Sequence, residues 1–199
     1  MTPRETDGRS PSQTVSVTTW YLEMLDPAAL RPKGCDRGDL VIQRAAVPCP
    51  EFSRFLYASV GGAWYWCDRL SWPYDRWLAY LQQPGVATWV AYVAGTPAGY
   101  IELEAQASGN VEITYFGLLP QFIGQGIGGH LLTVGVEQAW AMPAQRVWVH
   151  TCSLDGPHAY RNYEARGFTC YDTQTHMETL PAAPPGPWPG AEAPPSPSP

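Results

Sequence analysis

From Leu119 to Gly129 the chain reads Leu-Pro-Gln-Phe-Ile-Gly-Gln-Gly-Ile-Gly-Gly. Glycines 124, 126 and 128 carry no Cβ, so the backbone can turn sharply and a ligand can come close to it. A helix starting there presents unpaired N–H groups and a partial positive charge, which together favour a phosphate by on the order of 0.3–1 kcal/mol. Gly124, Gly126 and Gly129 also fit G-x-G-x-x-G, the dinucleotide fingerprint. That fingerprint should follow its strand almost at once and open a long series of strand–helix units. Here Leu118 to Ile123 intervenes and only one further strand–helix pair remains. No acidic residue ends the next strand, which reads Val147-Trp-Val-His-Thr151, so a ribose-binding carboxylate is missing. That context disfavours a dinucleotide and leaves two readings, a loop that binds another phosphorylated ligand or glycines that serve only a tight turn.

The elements around this loop alternate. Val15–Met24 and Leu40–Val47 have strand character, and Pro50–Val60 and Tyr74–Gln82 carry apolar residues at helical spacing. Three strands follow in quick succession, Ala87–Val93, Ala98–Ala105 and Val111–Leu118, separated by Gly95-Thr-Pro97 and Ser108-Gly-Asn110 turns. The glycine loop then opens a helix with Ile127, Leu131 and Val134 along one face, ended by Met142-Pro143. Arg146–Ser153 is a further strand, Pro157–Arg166 a helix closed by Gly167, and Phe168–Leu180 is extended. A meander followed by a strand–helix–strand unit predicts an α/β fold, a mixed, mostly antiparallel sheet with helices on both faces.

The domain is expected to span residues 15–180. The first 14 residues and the proline-rich stretch 181–199 bury too little apolar surface to order and are expected to be disordered. In 199 residues, 45% hydrophobic and 15% charged, one core is well supplied. No apolar run approaches the roughly 20 residues needed to cross a bilayer, and residues 1–12 lack a hydrophobic signal core. A soluble cytoplasmic protein with no membrane partner is expected. The net charge of −6 argues against a nucleic-acid surface. Cys35, Cys49, Cys67, Cys152 and Cys170 are widely spaced and form no metal array with the four histidines, so no metal site and only free thiols are expected.

Three segments together resemble the acetyl-CoA-dependent N-acetyltransferase (GNAT) superfamily. Gln121, Gly124 and Gly126 are similar to its Q/R-x-x-G-x-G/A pyrophosphate loop, Glu112–Pro120 to its fourth strand, and Ala159, Tyr163, Gly167 and Phe168 to its A-x-x-x-Y-x-x-x-G-F ending. The resemblance covers about residues 40–172 and implies the acyl-CoA N-acyltransferase fold with acetyl-CoA as co-substrate. It implies that the backbone of Gly117, Leu118 and Leu119 pairs with the pantetheine arm. Gln121 and the amides of Gly124, Gln125, Gly126, Ile127, Gly128 and Gly129 would hold the pyrophosphate, and the strands at Leu118 and Val149 would splay to admit the thioester. Where the superfamily often has asparagine, seven residues before the tyrosine, this chain has Gly156 beside Asp155. The stretch after Phe168 is short for two more strands, so the last hairpin is expected to be abbreviated or absent.

The implied chemistry assigns the remaining residues. An alkylammonium is neutral in only about one molecule in 10³ at pH 7, so a base must take its proton before nitrogen attacks the thioester. By resemblance Tyr163 is the general acid for the departing thiolate and Glu112 the base, directly or through water. His150, on one strand face with Trp148 and Cys152, is a second base candidate. The stretch Trp64 to Trp77, rich in tryptophan and tyrosine, lies where the superfamily covers its acceptor. Trp66 and Tyr74 are the candidate walls, with Asp68 or Asp75 to face an ammonium. Glu102 and Glu104 share one face of their strand, with Glu102 the candidate acceptor contact. The expected reaction is acetyl transfer to a primary amine of a small molecule. A non-catalytic acyl-CoA-binding or regulatory module on the same fold is the alternative. Exposed edge strands leave room for a homodimer.

Overall fold

The computed structural model describes residues 12–189 and 191. Seven strands form one sheet: β1 Ser12–Met24, β2 Leu40–Arg44, β3 Val86–Val93, β4 Thr96–Ala105, β5 Asn110–Leu118, β6 Arg146–Cys152 and β7 Thr169–Pro181. The helices are α1 Pro50–Gly61, α2 Tyr74–Leu81, α3 Ile127–Trp140 and α4 Ala159–Ala165. Sheet order is β2-β3-β4-β5-β6-β1-β7, and β5–β6 is the one parallel neighbour pair. The expected α/β class, mostly antiparallel and covered on both faces, is what forms.

Alternation of side chains along each strand divides the core in two. Ile101, Leu103, Ile113, Val147 and Val149 meet Ile127, Leu131, Leu132 and Val136 of α3 and Tyr163 of α4 on one face. Val90 and Tyr100 meet Leu56 and Val60 of α1 on the other. Gly135 of α3 lies so close to Ile101 that a Cβ would not fit, which sets how closely α3 sits on the sheet.

Among the described residues one strand follows α4. The position beside β6 is filled from the N-terminus: β1 pairs antiparallel with β6 through Thr19–Met24 and with β7 along its whole length. Ser12–Thr14 therefore belong to a strand. Past Pro181 the chain returns to the end of α1, where the Gly186 N–H donates to the Gly62 carbonyl at 3.0 Å. Residues 1–11, 190 and 192–199 of the two segments expected to be disordered lie outside the described residues. No helix among the described residues is long and apolar enough to cross a membrane.

Candidate active site

The parallel pairing of β5 with β6 covers only Asn110–Ile113 against Arg146–Val149. Beyond that, β5 follows β4 as far as Leu118 while β6 follows β1 as far as Cys152, leaving a wedge in the sheet. The Leu119 N–H donates to the Ala98 carbonyl at 2.9 Å, which fixes the phase of the strand. Antiparallel residues turn their peptide groups to alternate sides, so Gly117 and Leu119 face β4 while Phe116 and Leu118 face the wedge. Of the three backbone positions expected there, Leu118 is in phase. Phe116 shares that orientation, a hydrogen-bond phase that motif spacing does not reveal. Gly117 still needs to be glycine: a Cβ would collide with Val60 of α1.

The glycine loop closes one side of the wedge. A 3-10 turn at Pro120–Phe122 leads to Gly124 and Gly126, with φ of 82° and 80°. That left-handed conformation strains other residues by about 1–2 kcal/mol. Gly126 caps α3 and no side chain bonds the first turn, so the N–H groups of Ile127, Gly128 and Gly129 are free to meet an anion. A Cβ at Gly124 or Gly126 would meet nothing within 4 Å, so backbone shape rather than crowding requires glycine, and the surface stays open. These residues fit a diphosphate. Gln125 braces the loop, donating to the Gln121 carbonyl at 2.7 Å and accepting from Arg37 at 2.9 Å; the Gln121 side chain is exposed.

Tyr163 packs edge-on against Phe116 and Phe168, with centroids at 5.9 and 6.0 Å. Burial, and then the charge of Asp155, push its hydroxyl far above the usual tyrosine range, so it keeps its proton. It lies on the α3 face, beneath a residue whose peptide groups open to the wedge.

The opposite face is acidic and aromatic. Glu112 Oε1 lies 3.4 Å from His150 Nδ1, and its Oε2 accepts from Gln106 Nε2 at 2.6 Å. Gln106 in turn accepts from Trp148 Nε1 at 3.1 Å. The bond to Glu112 raises the His150 pKa above its ordinary value against the opposing effect of desolvation, and the charges of Asp155 and Asp68 add to the rise. The two base candidates thus lie side by side within ion-pair distance, with the His150 side chain 47% exposed. Tyr115 stands beside Tyr57 and Trp66, with centroids at 5.0 and 4.8 Å. Trp66 thus packs on β5 beside Tyr115.

The two other residues expected to contact the acceptor, Tyr74 and Glu102, differ in their surroundings. Tyr74 is 53% exposed at the start of α2. Glu102 is 2% exposed and its Oε1 accepts from Arg69 at 2.8 Å, Tyr80 at 2.9 Å and Thr114 at 2.9 Å. Thr114 can reach it because it is the extra residue of a β-bulge, where Glu102 pairs with Tyr115 and Leu103 with Ile113. The Arg69 guanidinium lies over Tyr80 at 4.2 Å, Tyr115 at 4.4 Å and Trp72 at 4.8 Å. Glu102 is thereby tied through Arg69 to the aromatic residues Tyr80, Tyr115 and Trp72. A separate cleft between β2 and the ends of α1 and α2, lined by Arg44, Val47, Phe52 and Gln82, shares no residue with the wedge. Among the described residues no cluster of histidine, cysteine, aspartate and glutamate could hold a metal ion, and all five cysteines are free.

The sequence pattern described as the acetyltransferase (GNAT) family matches residues 52–168. No curated protein matches the chain. Solved structures of similar fold include a GCN5-related N-acetyltransferase from Kribbella flavida, 19% identical, with a TM-score of 0.59 over 86% of this chain and 61% of that one. Another, from Sphaerobacter thermophilus, is 18% identical with a TM-score of 0.58, covering 86% of this chain and 54% of that one. An aminoglycoside acetyltransferase from an uncultured soil metagenomic sample is 20% identical with a TM-score of 0.53, over 64% of this chain and 87% of that one. The chain thus spans 61% and 54% of the lengths of the first two.

Proposed function

Since the chain belongs to the acetyltransferase (GNAT) family, we propose that it transfers the acetyl group of acetyl-CoA to a primary amine of a small molecule by direct attack on the thioester. One observation carries the reading: a wedge between β5 and β6 has free helix-end amides and a buried tyrosine on one face and a carboxylate–imidazole pair on the other. The two faces separate the two substrates.

In this reading the diphosphate rests on the amides of Gly126–Gly129, and the pantetheine arm runs along the peptide groups of Phe116 and Leu118. The amine arrives on the face of Glu112 and His150, walled by Tyr57, Trp66 and Tyr115. The Glu112–His150 pair takes the ammonium proton, and nitrogen attacks the carbonyl carbon. N–H groups at the mouth of the wedge stabilise the oxyanion. As the C–S bond breaks, the nitrogen gives up its second proton to water and the thiolate receives the Tyr163 proton, which solvent then restores, leaving a neutral amide and CoA. Such proton transfers typically contribute about 10²–10⁴-fold each.

A thiol-release screen of acetyl-CoA against a panel of small amines tests this directly. Release of CoA that depends on the amine, with a product heavier by one acetyl group, is the expected result. Tight binding of CoA with no release for any amine would instead identify a non-catalytic acyl-CoA-binding module.

A further inference from the structure

The chain has few cations, 12 lysines and arginines against 18 acids, and Lys33 is its only lysine. That lysine lies in the segment between the first turn after β1 and β2, a stretch the motifs do not touch. Residues 30–39 form a strap along the start of α3. The Lys33 N–H donates to Thr133 Oγ1 at 2.9 Å, the Lys33 carbonyl lies 3.1 Å from His130 Nδ1, and Arg37 Nη1 donates to Gln125 at 2.9 Å. The Arg31 N–H donates to the Arg166 carbonyl at 3.0 Å, and Leu30 and Cys35 pack against the main core. The strap is thereby fixed at the phosphate-binding end of the helix.

Two cationic side chains meet over Gly129, in the first turn of α3. A Cβ there would lie 2.8 Å from Arg166 Nη1 and 2.9 Å from Lys33 Cγ, so glycine at this position makes room for both. Arg166 Nε is buried without a hydrogen-bond partner, and burial lowers the pKa of the guanidinium. Among the described residues neither Lys33 nor Arg166 has a carboxylate within ion-pair distance, whereas Arg37 is bound to Asp39 at 2.9 Å. Asp36, also on the strap, is exposed. An unneutralised, partly buried guanidinium beside an unneutralised, exposed ammonium, in a chain of net charge −6, points to an anionic group bound there.

We propose that Lys33 and Arg166, held together over Gly129 by the 30–39 strap, form a second phosphate subsite that takes the 3′-phosphate of coenzyme A and makes this chain selective for CoA thioesters. This rests on the reading that the amides of Gly126–Gly129 hold the diphosphate, and adds to it a requirement for the nucleotide end of the donor. Phosphopantetheine carried on a protein and 3′-dephospho-CoA both lack the group that the subsite recognises.

Calorimetric titration of the full chain with CoA and with 3′-dephospho-CoA tests the assignment. The wild type should bind CoA about 10- to 100-fold more tightly, the range expected for charge-assisted hydrogen bonds. Lys33→Gln and Arg166→Gln should each bring CoA affinity towards that of dephospho-CoA while leaving dephospho-CoA affinity unchanged. Because Lys33 is more exposed than Arg166, its substitution leaves a folded protein to test if the arginine variant does not fold. Equal wild-type affinity for the two ligands overturns the subsite and leaves the diphosphate reading standing. Binding of neither ligand overturns both.

Discussion

Glu102→Ala would leave the Arg69 guanidinium, in a residue 6% exposed, without the carboxylate now 2.8 Å away, and would deprive the hydroxyls of Tyr80 and Thr114 of their shared acceptor. Removing one partner of a buried ion pair costs about 3–5 kcal/mol. Rings of Tyr80, Tyr115 and Trp72 within 5 Å of the cation soften the loss, which favours the lower end of that range. For a chain of this length about 3 kcal/mol lowers Tm by roughly 6–12 °C. Thermal and urea unfolding followed by circular dichroism reads the change, with the KM for the amine measured alongside at a temperature where the variant is folded. Replacing both partners together, as Arg69→Met with Glu102→Leu, should recover most of the loss, since an apolar pair leaves no charge unpaired. A fall in Tm of less than about 2 °C, together with a tenfold rise in KM, would refute the structural role and point to a contact between Glu102 and the acceptor.

If neutral His150 accepts the ammonium proton, kcat/KM should rise with pH through a value above the ordinary histidine range, and Glu112→Gln should move that inflection down. The same contact stabilises the fold fully below the unfolded histidine value, near 6.5. That contribution is lost as pH climbs through the raised folded value, and denaturant titrations across that window should show the decline in the wild type and not in Glu112→Gln. Tyr163→Phe should lower kcat by about 10²-fold or more while KM for acetyl-CoA stays within a factor of a few; unchanged turnover removes the hydroxyl from the mechanism. Gly126→Ala places a Cβ at φ 80°, with a strain of about 1–2 kcal/mol, and should weaken CoA binding by about 10-fold in a fluorescence titration.

Local chemistry made part of this site legible in the sequence. Gly124 and Gly126 stand where φ is positive, and Ile127 and Leu131 are buried along α3 at their helical spacing, whereas Val134 of the same expected face is only half-buried and Leu132 and Val136 take the core beside them. Tyr163 and Phe168 follow at a spacing that returns them to the same core. What sequence leaves hidden is pairing across long separations. Glu102 alternates with Glu104 on one strand face, so both read as acids near an amine. Arg69, 33 residues earlier, turns one of them into an internal lock. Lys33 and Arg166 are 133 positions apart and meet only because Gly129 lets both cross α3. The place of β1 between β6 and β7 is likewise invisible, since strand propensity does not choose a neighbour.

A crystal structure of the full chain with acetyl-CoA measures the central relation between loop, wedge and donor. The diphosphate should lie on the N–H groups of Gly126–Gly129, and the pantetheine should hydrogen-bond to the peptide of Leu118 with its thioester between β5 and β6 on the side of Glu112 and His150. Coenzyme A bound elsewhere on the molecule, or a wedge left empty at a saturating concentration, would contradict it.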